Sequence, residues 1–148
     1  MTSEWEQLEE LIGAQMREIY SETTIDHAMN PRNAGDMESA DGFAKVTGPC
    51  GDTMKIWLKV KNSTIADATF LTDGCGPSIA SGSMVTEMVK GKAVLQTQKI
   101  SQQDVLAALG GLPEESKHCA LLAANTLKAA IRDYLTVKRE PWKRAYRK

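Results

Sequence analysis

Residues 53–72 read TMKIWLKVKNSTIADATFLT. Met54, Ile56, Leu58 and Val60 alternate with Lys55, Trp57, Lys59 and Lys61, the two-residue period of a strand with one buried face. Asn62-Ser63 supplies a tight turn, and TIADATFLT returns as a second strand. GFAKVTG, residues 42–48, adds a third, so the centre of the chain reads as an antiparallel meander.

Helices flank it. Over residues 3–29, Leu8, Leu11, Ile12, Met16, Ile19 and Tyr20 recur at three- and four-residue steps, which reads as one helix. Asn30-Pro31-Arg32-Asn33 ends it, because the residue before a proline is pushed out of helical geometry, and residues 34–42 read as loop. Beyond Cys75, Gly76-Pro77 fits the cap and first position of a second helix, with Ala80, Met84, Val85, Met88 and Val89 as its apolar stripe and Gly91 as its stop. Ser101 with Asp104 opens a third that ends at Gly110-Gly111. A long helix starts near Ser116, with Leu122, Thr126, Ala129, Ala130 and Tyr134 on its inner side. Strands followed by helices, without strand–helix alternation, give an α+β fold: a small three-stranded antiparallel sheet packed against a layer of helices, with an N-terminal helix.

The 148 residues can bury one core, and 42% hydrophobic with 25% charged residues is ordinary for a soluble globular domain. A net charge of −1 gives no general pull toward nucleic acid or membrane, and no apolar run is long enough to span a bilayer. The opening MTSEWEQLEE lacks the basic-then-apolar order of a secretory signal, so a cytoplasmic protein is expected. Charge is uneven: Glu4, Glu6, Glu9 and Glu10 crowd one end, and Lys138, Arg139, Lys143, Arg144, Arg147 and Lys148 the other. Trp5, Trp57 and Trp142 are too scattered for a base-stacking platform, and no GxxxxGK[ST] phosphate loop is present.

Three cysteines suit neither a disulfide framework nor a CxxC zinc module. Cys50 sits in GPCGD between strands, with Asp52 two places on. Cys75 joins the hairpin to a helix, and His118-Cys119 opens the long helix. The start of one hairpin strand neighbours the end of its partner, so Cys50 and Cys75 share one end of the sheet. Cys75 and Cys119 stand at helix N-termini, whose partial positive charge favours a thiolate. Three thiols with Asp52 or His118 as a fourth donor match zinc or an iron–sulfur cluster, while each cysteine alone reads as a small buried hydrophobe. Neighbouring helical residues point about 100° apart, which argues against His118 and Cys119 sharing one ion.

HAMNPRN, PCGD, DGCGPSIASGSMVTEMVKGK, KHCALL and KAAIRDYL, in this order, resemble the IscU-type iron–sulfur cluster assembly scaffolds, also found as the N-terminal domain of NifU proteins. The resemblance covers about residues 20 to 135, leaving 1–19 as a helical extension, 20–136 as the scaffold domain and 137–148 as a basic tail. It implies a non-enzymatic platform that builds a transient 2Fe–2S cluster from iron and sulfur delivered by a cysteine desulfurase, then passes it to acceptor apoproteins, often with chaperone help. It implies Cys50, Cys75 and Cys119 as ligands and candidate persulfide acceptors, Asp52 as the aspartate tied to cluster lability, and His118 as the histidine beside the third cysteine. The glycines around Cys75 then read as clearance for an incoming desulfurase loop.

The chain departs from the pattern in two places. Where the family carries Leu-Pro-Pro-Val-Lys, recognised by a dedicated chaperone, this chain has Leu112, Pro113, Glu114, Glu115 and Ser116, with Lys117 one place late. Asp73 stands where the family commonly has an aromatic before the Gly-Cys of the second cysteine motif, as a solvated carboxylate or a spare ligand. The runner-up is a zinc-bound SufU-like sulfurtransferase, which carries an insertion between the second and third cysteines. The 44 positions from Cys75 to Cys119 leave little room for one. A structural zinc module is the third reading. The expected assembly is a monomer or homodimer.

Overall fold

A computed structural model describes residues 3–49 and 51–142, without the side chains of residues 13 and 16. Cys50 and the basic residues Lys143, Arg144, Arg147 and Lys148 lie outside the described residues. Three strands, β1 (Gly42–Thr47), β2 (Thr53–Lys61) and β3 (Thr64–Thr72), form one antiparallel sheet in the order β1-β2-β3. Asn62 and Ser63 both take positive φ, 53° and 62°, the left-handed turn geometry that matches strand twist in a hairpin.

Alternation along β2 holds, with Met54, Ile56 and Leu58 fully inside. In β3 the buried residues are Ile65, Ala68 and Phe70, an uneven spacing. A bulge explains it: Lys59 pairs with Asp67 and Val60 with Ile65, so Ala66 is the extra residue and the face resets across it.

The helices are α1 (Glu4–Ile19), α2 (Glu22–Met29), α3 (Gly76–Val89), α4 (Val94–Thr97), α5 (Gln102–Leu109) and α6 (Lys117–Arg139). α6 lies across β1 and β2, and α3 lies on β3. Close approach fixes two glycines. A Cβ on Gly42 would stand 2.7 Å from the Ala130 carbonyl oxygen, and one on Gly82 would stand 2.4 Å from the Phe70 ring. The core is Met54, Ile56, Leu58 and Phe70 closed over by Val85, Val89, Leu127 and Ile131.

The single helix expected over residues 3–29 is two. Ser21 caps α2 by accepting from the Thr24 N–H at 3.0 Å, and the Ser21 and Thr24 hydroxyls both bond the Leu109 carbonyl. That bond ties α2 to the end of α5 and forces a corner at Tyr20. The α1 stripe finds no core: Trp5, Leu8, Leu11, Ile12 and Ile19 are all exposed. α3 begins one residue earlier than expected, with Cys75 at the cap and Gly76 and Pro77 in the first turn, where a missing N–H costs no helical bond. α4 carries no strong periodicity and was invisible in the sequence. α5 follows expectation, with a Ser101–Asp104 capping box and Gly110 left-handed at its end.

His27 is a buried packing residue. Its Nδ1 lies 2.7 Å from Ser83 Oγ, and that oxygen accepts from the Arg32 N–H at 2.9 Å. The Asn-Pro-Arg-Asn segment is thereby pinned to α3, the helix that carries Cys75.

Candidate metal centre

The candidate side chains among the described residues gather at one end of the sheet. The Gly48 N–H donates to the Asp52 carbonyl at 2.8 Å, closing the 48–52 loop and delivering Asp52 to the start of β2. Opposite it, β3 ends and runs through Asp73 and Gly74 to Cys75. Asp73 is a ladder-extending residue: its Oδ1 accepts from the Thr53 N–H at 2.8 Å while its own N–H donates to the Thr53 carbonyl at 3.3 Å. It does not belong to the cluster of donor atoms described below.

That cluster joins Asp52, His118 and Cys119, whose donor atoms all lie within 4.8 Å of one another. Cys119 is buried and the other two are half-buried. The expectation that His118 and Cys119 diverge is overturned: Cys119 Sγ and His118 Nε2 are 3.6 Å apart. The short thiol points inward from the first turn of α6, and the longer imidazole reaches round to meet it. Cys75 is exposed and close enough for its charge to act on Cys119. Cys50, between Pro49 and Gly51 in the sequence, lies outside the described residues. A recess of about 130 Å³, lined in part by Gly48, Pro49, Asp52, His118 and Leu121, opens beside these groups.

The helix N-terminus does not make Cys119 a thiolate. Burial pushes its thiol up to about 11, the Cys75 and Asp52 charges add to this, and a hydrogen bond from Ser78 opposes them only in part. Burial thus favours the protonated thiol at neutral pH. An incoming metal ion must displace that proton. The donor set, one carboxylate, one imidazole and one thiol beside a second thiol, suits zinc or iron with sulfide.

The glycine at 74 has an internal reason. A Cβ there would stand 2.6 Å from Ser78 Oγ and 3.2 Å from Asp52 Oδ2. Gly76 meets only Ala28 Cβ, at 3.9 Å. Sequence reasoning missed Ser78, which is fully buried and touches both Asp52 and Cys119. Its spacing of three from Cys75 at a helix start was the available signal.

The model of the family described as NifU-like N terminal domain matches residues 19–140. The iron-sulfur cluster assembly scaffold protein IscU 1 of Archaeoglobus fulgidus is 50% identical over 117 residues, covering 78% of this chain and 76% of that protein. The protein of the same description, IscU, from Escherichia coli K12 is 48% identical over 126 residues, covering 82% of this chain and 97% of that one. Among solved structures, the N-terminal NifU-like protein of Brucella abortus superposes with a TM-score of 0.65 at 21% identity, covering 81% of this chain and 96% of that one. The SUF-system protein FiSufU of Fervidobacterium islandicum gives 0.61 at 24% identity, covering 78% and 98%. These two likenesses establish the shared fold. With the family model spanning most of the chain and relatives near half-identical over three quarters of it, this protein belongs to the NifU-like N-terminal domain family, with the IscU proteins as its relatives.

Proposed function

We propose that this chain is an iron–sulfur cluster assembly scaffold that builds a 2Fe–2S cluster as cargo in the cytoplasm and hands it to acceptor apoproteins. The observation that carries the reading is the convergence of Asp52, His118 and Cys119 within 4.8 Å, beside the exposed Cys75 and an open recess. The relatives named as assembly scaffolds support it.

Each iron of a 2Fe–2S unit takes two protein donors besides the bridging sulfides, four in all. Cys50, Cys75 and Cys119 supply three, and Asp52 or His118 the fourth. Asp73 is the weaker candidate because it already accepts from Thr53. A carboxylate or imidazole in the fourth place makes a looser bond than a thiolate, which suits cargo that must leave. Sulfur arrives from a cysteine desulfurase as sulfane sulfur in a persulfide. Each such atom needs two electrons to become sulfide: ferrous iron supplies one on oxidation, and an external reductant supplies the other. The chain's own part is to hold the donors, keep bulk water from the buried thiol, and release protons as ligands bind.

The chaperone-recognition stretch argues against use of the specialised chaperone. Leu112 is buried, Glu114–Ser116 form a 3-10 turn, and Lys117 pairs with Glu114 at 2.8 Å, so an acidic turn stands where the family pattern is apolar. The test is anaerobic incubation with ferrous iron, cysteine, a reductant and a cysteine desulfurase, followed by mixing with an apo-ferredoxin. The proposal expects a visible 2Fe–2S spectrum that moves to the acceptor. Tight zinc binding with stimulation of the desulfurase and no cluster would replace it with the sulfurtransferase.

A further inference from the structure

Ser78 lies completely buried in the first turn of α3, three residues after Cys75. The other buried hydroxyls of this helix have ordinary outlets. Ser81 donates to the Pro77 carbonyl at 2.7 Å, Thr86 to the Gly82 carbonyl at 2.8 Å, and Ser83 meets His27. Ser78 instead reaches out of its helix to two different elements. Its Oγ stands 3.2 Å from Cys119 Sγ on α6 and 3.4 Å from Asp52 Oδ2 before β2. Gly74 packs against it as well, with no room for a Cβ.

We propose that Ser78 is a positioning residue of the metal centre: its hydroxyl holds Asp52 and Cys119 at binding distance, and donates to the Cys119 sulfur once the centre is loaded. The inference rests on the reading of these residues as a metal or cluster site. A hydroxyl has one proton to donate, so Asp52 and Cys119 compete for it. A metal held by Asp52 would draw on its carboxylate and leave the Cys119 sulfur as the acceptor for the Ser78 hydroxyl. A hydrogen bond to a ligand sulfur draws electron density from it and raises the reduction potential of the iron behind it. Residues that hold ligands in place set affinity almost as strongly as the ligands themselves.

The test is Ser78→Ala in the full chain, with Ser78→Thr as the variant that keeps the hydroxyl. Zinc affinity is measured by competition with a chromophoric chelator, and the metal-free proteins are melted alongside. Ser78→Ala is expected to bind zinc roughly 10- to 100-fold more weakly, and Ser78→Thr to recover most of that loss. On reconstituted protein, Ser78→Ala is expected to shift the midpoint potential downward. In an Asp52→Ala background the Ser78→Ala loss should shrink, because the two side chains act together. If Ser78→Thr melts well below the parent, Ser78→Ala and the double variant decide alone. Zinc affinity and potential equal to the parent's in Ser78→Ala would overturn the proposal. A parent chain that takes up no iron and sulfide would sink the scaffold reading instead, and the zinc comparison would still judge Ser78.

Discussion

His118 Nε2 and Cys119 Sγ stand 3.6 Å apart although the two residues are consecutive on α6. Side chains of unequal length make this possible in the first turn of the helix, where the thiol turns in and the imidazole wraps back. Asp52, delivered by the loop before β2, closes the group. The centre is therefore built where the sheet end, the start of α3 and the start of α6 meet.

Asp52 offers an oxygen donor beside sulfur and nitrogen donors, and under the proposed function it makes the centre labile. Asp52→Ala should keep its cluster several-fold longer than the parent against a chelator, followed by loss of visible absorbance. Equal or faster loss would remove that role.

The two described thiols should differ in reactivity. Cys75 is exposed, whereas Cys119 is 1% exposed with its thiol pushed up to about 11. Iodoacetamide at pH 8 on metal-free protein should label Cys75 first, read by peptide mass spectrometry, with Cys119 labelling rising toward pH 11. The same shift acts on stability. The unfolded thiol loses its proton near 9 and the folded one near 11, so the stabilisation is complete below about pH 9 and lost across that window.

His27 should set a second pH limit. Burial first, then the Arg32 cation, hold its imidazole below the ordinary value of 6.5, while Asp26 and Glu87 pull the other way. The folded state then binds fewer protons than the unfolded one, so stability present above 6.5 falls as pH drops through the folded value. Urea midpoints of the parent should decline from pH 7 to pH 5 more steeply than those of His27→Gln. Parallel slopes would contradict this.

Gly82→Ala should destabilise the fold without touching the metal centre. Its Cβ would stand 2.4 Å from Phe70 Cδ2 in the packed layer between α3 and β3. Relief requires displacement of a buried ring, at a cost of about 1–3 kcal/mol. A thermal melt equal to the parent's would show that the layer yields freely.

Removal of residues 1–19 should cost no more than about 1 kcal/mol, because α1 leaves its apolar stripe exposed. Urea unfolding of the shortened chain measures it. A large loss would mean that α1 belongs to the core.

The sheet was legible because Met54, Ile56 and Leu58 answer to a local period, and Asn62-Ser63 declares its turn. The loop positions of Asp52 and Cys75 followed from hairpin topology. Three features were not legible, because each is decided by how separate elements pack. The corner at Tyr20 comes from Ser21 bonding Leu109 across 88 positions. The raised pKa of Cys119 comes first from burial, which the position of the residue at the start of α6 does not reveal. Gly74 reads from sequence as clearance for a partner, but Ser78 and Asp52 fill the space.

The scaffold reading is tested by iron, zinc and acid-labile sulfide measured on protein purified anaerobically from its own cells, alongside Cys119→Ala. The account predicts iron and sulfide in equal amounts on the parent and their loss from the variant. Zinc without sulfide on the parent, or an undiminished iron–sulfide content in Cys119→Ala, would contradict it.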